Sequence, residues 1–254
     1  MWEHLDAALV QAAADLEPER NRARLDELVP AGADLTVLPE AFARDFGPST
    51  DTLGPHAEPL DGPFATELAR VAADRGSTLV AGMFEATDEH PFNTLVLTDG
   101  TTQHSYRKIH LYDSFGYRES DRLSAGRVEP VTVEVGGATV GLMTCYDLRF
   151  PELARALVGA GAEILVVPSA WVAGERKVDH WRTLVRARAI ENTAYVVAVG
   201  QPAPRYCGHS LVVDPLGDVL VEAGDGEEVV TARLSRSVLA EARETNPSLV
   251  NRRM

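Results

Sequence analysis

Residues 138–170, ATVGLMTCYDLRFPELARALVGAGAEILVVPSA, give the clearest indication of the fold class. It opens with an apolar run typical of a β-strand, and this run ends at Cys145. Pro151 then suits the first turn of a helix. A second apolar run, ILVVPSA at 164–170, predicts another strand. Strand, helix and strand in immediate succession indicate an α/β protein.

The segments on either side continue this interleaving of helices and strands. Helices are predicted at 17–29, 63–75 and 178–192, strands at 77–86 and 194–201, and hairpin turns at Asp99-Gly100, Gly136-Gly137 and Pro215-Leu216-Gly217. Several strands, such as LTVL at 35–38, are apolar almost throughout, as strands covered on both faces are. Because no linker or repeat interrupts the chain, we expect one α/β domain over residues 1–254, with two mixed sheets packed together and helices outside.

Composition and charge narrow the functional class. The chain has 24 lysines and arginines against 38 acidic residues, a net charge of −14, so nucleic acid is not an expected partner. No apolar run is long enough for a membrane span, and the first residues lack the layout of a signal peptide, which predicts a cytoplasmic protein. Cysteines and histidines show no spacing typical of a metal site, so no metal is expected.

Cys145 is the first candidate for chemistry. A thiol at a strand-to-helix turn is held out from the sheet and lies near backbone N–H groups. Such groups lower a thiol pKa and can bind a developing oxyanion. The alternative is a buried structural cysteine, which lone cysteines commonly are. The turn alone leaves both interpretations open.

Glu40 and Lys108 are the other candidates. Glu40 follows Pro39 at the end of an apolar strand, where α/β proteins place their ligand crevices, and a partly desolvated carboxylate there could act as general base to a thiol. A glutamate in the first turn of a helix is the alternative. Lys108 lies among apolar and aromatic residues, where a paired ammonium could stabilise an oxyanion. Its alternative is an ammonium that reaches solvent.

In the order glutamate, lysine, cysteine, these segments resemble the carbon–nitrogen hydrolase (nitrilase) family. The resemblance covers nearly the whole chain. Its motifs are LPE at 38–40, YRKIHLYD at 106–113, CYDLRFPELAR at 145–155, VPSAW at 167–171, HWRTLVRARAIEN at 180–192 and GHSLVVDPLGDVL at 208–220.

The resemblance implies a fold and a set of roles. The fold is an α-β-β-α sandwich that pairs into a homodimer and needs no metal or organic cofactor. Glu40 matches the general base, Lys108 the lysine that stabilises the tetrahedral intermediate, and Cys145 the nucleophile. Glu119 matches a second glutamate that assists these three and helps to position the substrate.

The residues after the nucleophile, YDLRF, resemble the amidase branch that includes ω-amidases and deaminated glutathione amidases. By this resemblance Arg149 receives a substrate carboxylate, although a pair with Asp147 or Glu152 is the alternative. The backbone N–H of Tyr146 would join Lys108 at the oxyanion. Trp171 either lines the pocket or packs in the core.

One segment departs from that branch. Where the branch has a Gly-Pro-Ala-His-like approach to the long helix, this chain has GERKVDHW at 174–181. Arg176 and Lys177 in it either alter the pocket mouth or form a solvated loop, and we expect the solvated loop.

The predicted function is hydrolysis of a small carboxylate-bearing primary amide, such as the ω-amide of a 2-oxo acid, through a thioester. The expected partner is therefore a small-molecule amide. One alternative is a carbamoylase or aliphatic amidase with the same three residues. Another is a catalytically silent binding or scaffold protein with this fold.

Overall fold

The computed structural model describes residues 2–253. The strands are β1 His4–Gln11, β2 Leu35–Val37, β3 Thr78–Glu85, β4 Phe92–Thr98, β5 Gln103–Arg107, β6 Asp113–Ser114, β7 Tyr117–Arg118, β8 Val131–Val135, β9 Ala138–Leu142, β10 Ile164–Ser169, β11 Tyr195–Gly200, β12 Leu211–Val213, β13 Val219–Glu222 and β14 Glu228–Ser235. The α-helices are α1 Pro18–Leu28, α2 Pro63–Arg75, α3 Pro151–Gly159, α4 Lys177–Asn192, α5 Arg236–Thr245 and α6 Ser248–Asn251. None of these helices is long and apolar enough to cross a membrane.

Twelve of the strands form two six-stranded mixed sheets. Their orders are β14-β1-β2-β3-β4-β5 and β13-β12-β11-β10-β9-β8. In the first sheet β2 is parallel to β1 and β3, and in the second β10 is parallel to β9 and β11. All other pairings in both sheets are antiparallel. The prediction of two mixed sheets is confirmed.

The two sheets share a core, and helices cover their outer faces. Side chains between the sheets include Leu9, Val37 and Val80 from the first and Leu142 and Val166 from the second, all fully buried. Helices α1 and α2 pack on the first sheet, whereas α3 and α4 contribute to the core on the second. The α-β-β-α sandwich is thus the observed architecture. Apolar strands without alternation are what a sheet covered on both faces requires.

Glycine at 82, in β3, allows a loop to approach the first sheet. The Gly82 backbone accepts a hydrogen bond from Ala43 N at 3.0 Å and donates one to the carbonyl oxygen of Pro39 at 3.1 Å. A β-carbon at this position would lie 2.7 Å from Cα of Glu40. The missing side chain therefore sets how closely the loop that carries Glu40 lies against the strand.

Candidate active site

The predicted site residues meet at one edge of the sandwich. Glu40 follows β2, Cys145 follows β9 and Trp171 follows β10, so the carboxyl ends of strands from both sheets converge there. Lys108 follows β5, which runs in the same direction as β3 because two antiparallel pairings separate them. The cavity at this edge has a volume of about 920 Å³. Its lining includes all seven predicted residues: Glu40, Lys108, Glu119, Cys145, Tyr146, Arg149 and Trp171.

Cys145 opens a short 3-10 helix, Cys145–Arg149, directly after β9. Its φ of 46° lies in the left-handed region, which is costly for a residue with a β-carbon. The side chain is buried, and burial together with the negative charge of Glu40 raises the pKa of the thiol well above its usual value, against the opposing charge of Lys108. The expectation that backbone N–H groups lower this pKa is wrong for the resting site. Desolvation outweighs them, so the thiol stays protonated.

Lys108 is a buried ammonium paired with two carboxylates. Its Nζ lies 2.9 Å from Oε1 of Glu40, and 2.8 and 3.1 Å from the two carboxylate oxygens of Glu119. Only 2% of the lysine is exposed, so the alternative of an ammonium in solvent is wrong. Burial acts to lower the pKa of Lys108, but the charges of Glu119 and Glu40 hold it well above its usual value. The site therefore keeps a fixed positive charge.

The Glu40 carboxylate is held from three directions and is 1% exposed. Besides Lys108, Oε1 accepts a hydrogen bond from Nδ2 of Asn93 at 2.7 Å, and Oε2 accepts one from the backbone N–H of Ala170 at 2.6 Å. Glu40 lies in a turn rather than in a helix, so the first-turn alternative is wrong. The hydrogen bond from Ala170 joins the first sheet to the loop after β10 of the second.

Asn93 is a site residue that sequence reasoning missed. Its Nδ2 donates to Oε1 of Glu40 at 2.7 Å and to Oε1 of Glu119 at 3.0 Å, so it holds two buried carboxylates beside one ammonium. Its backbone oxygen accepts a hydrogen bond from the Lys108 N–H at 2.8 Å. A polar residue near the start of an apolar strand was the only available signal.

Asp147 is a second missed residue, fully buried behind the turn that carries the thiol. Its Oδ2 accepts hydrogen bonds from the Thr144 N–H at 3.0 Å and the Tyr106 hydroxyl at 2.6 Å. Its Oδ1 lies 2.7 Å from Nδ1 of His110. Because Tyr106 and His110 flank Lys108 in sequence, Asp147 ties the lysine segment to the nucleophile turn.

Arg149 has no carboxylate partner among residues 2–253. Its Nε and Nη2 atoms are buried without a hydrogen bond, and its Cζ lies 4.9 Å from the ring centre of Trp171. Asp147 is engaged elsewhere and Glu152 is exposed, so the structure contains neither of the alternative pairs. Trp171 fits both of its interpretations, since it lines the cavity and packs on Trp181 with ring centres 5.5 Å apart.

Tyr146, which was predicted to contact the substrate, also lines the cavity. The Tyr146 ring meets Tyr112 edge-on at 5.0 Å between centres, while its backbone N–H, at the start of the 3-10 helix, has no partner within that helix.

For Lys177, the prediction of a solvated loop is wrong. Its Nζ lies 3.2 Å from the Tyr112 hydroxyl and 4.2 Å from the ring centre of Phe115, so the ammonium turns toward the cavity.

Known proteins resemble the chain along nearly its whole length. The carbon-nitrogen hydrolase family model matches residues 6–244. A deaminated glutathione amidase from Escherichia coli O157:H7 is 40% identical over 221 residues, or 86% of this chain and 84% of that protein. A 2-oxoglutaramate amidase from Paenarthrobacter nicotinovorans is 37% identical over 269 residues, or 98% and 90%. The crystal structure of a CN-hydrolase superfamily protein from Xanthomonas campestris, with an arsenic adduct in its active site, superposes with a TM-score of 0.89 at 32% identity and covers 100% of this chain and 98% of that one.

Proposed function

This chain belongs to the carbon–nitrogen hydrolase family, and on that premise we propose that it is a cysteine-dependent amidase for small carboxylate-bearing primary amides, such as the ω-amide of a 2-oxo acid. That it is an enzyme acting on carbon–nitrogen bonds follows from the family and from its amidase-named relatives. One observation carries the finer proposal. A buried thiol, a carboxylate and an ammonium share a cavity with a guanidinium that has no acidic partner among residues 2–253.

In the proposed first half-reaction, Cys145 attacks the amide carbon while Glu40 takes the thiol proton. The carbonyl oxygen becomes an oxyanion, which accepts hydrogen bonds from Nζ of Lys108 and from the backbone N–H of Tyr146. Collapse of this intermediate breaks the carbon–nitrogen bond. Glu40 returns the proton to the leaving nitrogen, so ammonia departs and a thioester remains on the sulfur.

In the second half-reaction, Glu40 removes a proton from a water molecule that attacks the thioester. The same donors stabilise the second oxyanion, and its collapse breaks the carbon–sulfur bond. The proton returns from Glu40 to the sulfur of Cys145, and the acid product leaves. One carboxylate therefore transfers protons in both halves. Glu40 suits that use because it is paired with the ammonium and its charge acts on the thiol.

The raised pKa of the thiol supports a general-base route. A thiol that remains protonated at rest needs a base at the moment of attack, and Glu40 is the carboxylate whose charge raises the thiol pKa most. Glu119 has a different proposed role. It binds Lys108 through both oxygens and accepts the Tyr112 N–H at 2.6 Å, which fixes the ammonium and one wall of the cavity.

Arg149 supplies the proposed preference for a carboxylate. Buried guanidinium N–H groups without an acceptor are costly, and a planar carboxylate can satisfy two of them at once. A neutral aliphatic amidase would use the same thiol without needing this guanidinium free. An N-carbamoyl amino acid also carries a carboxylate, so the carbamoylase alternative is separated by the substrate panel and not by Arg149. The buried ammonium of Lys108 and its two paired carboxylates argue against a silent scaffold, because burying charged groups is costly.

Ammonia release from a panel of compounds tests the proposal. The panel contains a 2-oxo acid ω-amide, deaminated glutathione, an N-carbamoyl amino acid, a neutral aliphatic amide and a nitrile. We expect turnover of the carboxylate-bearing primary amides, with Cys145→Ala inactive and Cys207→Ala, the matched change at the other cysteine, active. Turnover only of a neutral or carbamoyl compound would reject the substrate class. Activity in Cys145→Ala would reject the nucleophile.

A further inference from the structure

A second cation faces the same cavity as Arg149. Lys177 is the first residue of α4, and its backbone oxygen accepts a hydrogen bond from Nε1 of Trp171 at 3.0 Å. Its ammonium lies 5.9 Å from the ring centre of Trp171, the ring on which the Arg149 guanidinium also rests at 4.9 Å. One indole is therefore near two positive groups, and the charge of Arg149 acts on Lys177.

These two cations differ from the other lysines and arginines of the lining. Lys108 is paired with Glu40 and Glu119, Arg205 lies 2.7 Å from Asp45, and Arg176 lies 4.0 Å from Glu175. Among residues 2–253, no acidic side chain lies within ion-pair distance of the remaining two, Arg149 and Lys177. Aromatic faces offset part of the cost of such charges but do not neutralise them.

We propose that Lys177 is a second anion-binding residue of the cavity, which acts with Arg149 to select amides that carry a carboxylate. This inference rests on the proposed function and deepens it. The guanidinium fork would take two carboxylate oxygens in its plane. The ammonium has three donors, one of which the Tyr112 hydroxyl accepts, so two remain for the same carboxylate or for an oxygen next to it.

A neutral amide has no group that can pair with these two cations, and this difference produces the selectivity. With such a substrate both cations would stay unpaired on one ring, whereas a carboxylate satisfies both and removes their mutual repulsion. Burial, and next the charge of Arg149, lower the pKa of Lys177, while Cys145 and Cys207 act in the opposite direction. A bound carboxylate would oppose the first two effects and hold the ammonium in its charged form.

A matched pair of variants separates a specific contact from a general effect of charge. Lys177→Met removes the proposed donor, and Arg176→Met removes the same charge from the neighbouring side chain, which is 75% exposed. The readout is the ratio of kcat/KM for a five-carbon primary amide with a free carboxylate to kcat/KM for its methyl ester. We expect this ratio to fall about 10- to 100-fold in Lys177→Met through a raised KM, as for loss of one charged hydrogen bond. It should be largely restored in Lys177→Arg and retained in Arg176→Met.

An unchanged ratio in Lys177→Met, with the wild-type Tm, would overturn the inference, and so would an equal fall in Arg176→Met. A direct binding measurement keeps it testable if the wild type hydrolyses none of the amides, in which case the proposed function itself fails. Calorimetry would compare glutarate binding to Cys145→Ala and to Cys145→Ala/Lys177→Met. Weaker binding only in the double variant would support the lysine site, whereas equal or absent binding in both would reject it.

Discussion

At Cys145, burial and the charge of Glu40 both oppose loss of the thiol proton, and Lys108 alone favours it. Removal of the Glu40 charge therefore has two opposite consequences. The thiol pKa should fall, because the largest charge that raises it is gone while the ammonium remains. Turnover should fall as well, because the proposed base is gone.

Glu40→Gln tests both consequences. We expect kcat to drop about 10²- to 10⁴-fold, the usual contribution of a general base. Alkylation of Cys145 by iodoacetamide, followed by mass spectrometry across pH, should reach half its maximum at a lower pH than in the wild type. Cys207, whose pKa burial raises to about 12, is the internal reference. Alkylation that shifts to higher pH would contradict this electrostatic account.

A substitution of Asn93 tests the hydrogen bonds that hold the two buried carboxylates. Asn93→Ala removes the donor shared by Glu40 and Glu119, so the buried carboxylates lose a partner. We expect a loss of about 1–3 kcal/mol in the free energy of unfolding, together with a lower kcat. Urea titration and ammonia release measure the two effects.

Asn192→Ala is the control, because Asn192 is also buried but donates to the Arg188 carbonyl in α4, away from the cavity. It should lose stability while keeping kcat. Equal losses of kcat in the two variants would mean that Asn93 acts only through stability.

The contacts of single residues were predictable only in part. The order of motifs predicted that Glu40, Lys108 and Cys145 belong to one site, and the structure brings them into one cavity, although their roles remain predictions. Asn93 was not predicted as a site residue because its position beside Lys108 depends on the register of β4 with β5, which pairs Thr94 with Arg107. A pattern of apolar residues does not contain that register.

The helices and hairpins were the most predictable elements. The helix expected at 63–75 begins and ends at the same residues in the structure, and the turn at Gly136-Gly137 joins β8 to β9 with φ of 58° and 84°. Strand β1 was not predicted. Its sequence includes two alanines and an aspartate, which are uncommon in strands, and β14 and β2, which pair with its two edges, come later in the chain.

A substitution in strand β3 tests how closely the loop with Glu40 lies against this strand. A β-carbon at Gly82 would lie 2.7 Å from Cα of Glu40, so Gly82→Ala must displace the loop that holds this carboxylate. We expect a loss of about 1–3 kcal/mol in the free energy of unfolding, as for an overpacked site, and a larger proportional loss of kcat. Thermal unfolding and ammonia release measure the two effects.

Gly54→Ala provides the comparison, because a β-carbon there has no atom of another part of the chain within 4 Å. It should leave Tm and kcat near their wild-type values. Wild-type activity in Gly82→Ala would show that the position of the loop does not depend on this close approach.

For the whole molecule, the class of fold was predictable and the strand order was not. Continuous apolar runs and hairpins together imply mixed sheets covered on both faces, as observed. The order of strands depends on contacts between distant segments, such as β1 beside β14. Interleaving along the chain does not specify such contacts.

We propose that the chain unfolds as one cooperative unit, because the largest core cluster contains side chains from both sheets. The N-terminal segment also contacts the residue directly before β10, since Nε1 of Trp2 donates to Oε2 of Glu163 at 2.9 Å. Urea unfolding followed by tryptophan fluorescence and by far-UV circular dichroism should give coincident curves. Two separated transitions would show that the halves unfold independently.

The convergence of strand ends from both sheets also has a consequence for biosynthesis. The segments with Glu40 and Lys108 leave the ribosome before the segment with Cys145, and the backbone N–H of Ala170 that holds Glu40 comes later still. A nascent chain that stops before β8 contains the Glu40 carboxylate and the Lys108 ammonium but not the Cys145 thiol. With the roles proposed for these residues, hydrolytic activity arises only when the second sheet has docked on the first. Amide turnover would then report completed assembly and serve as an assay for refolding or for complementation between chain fragments.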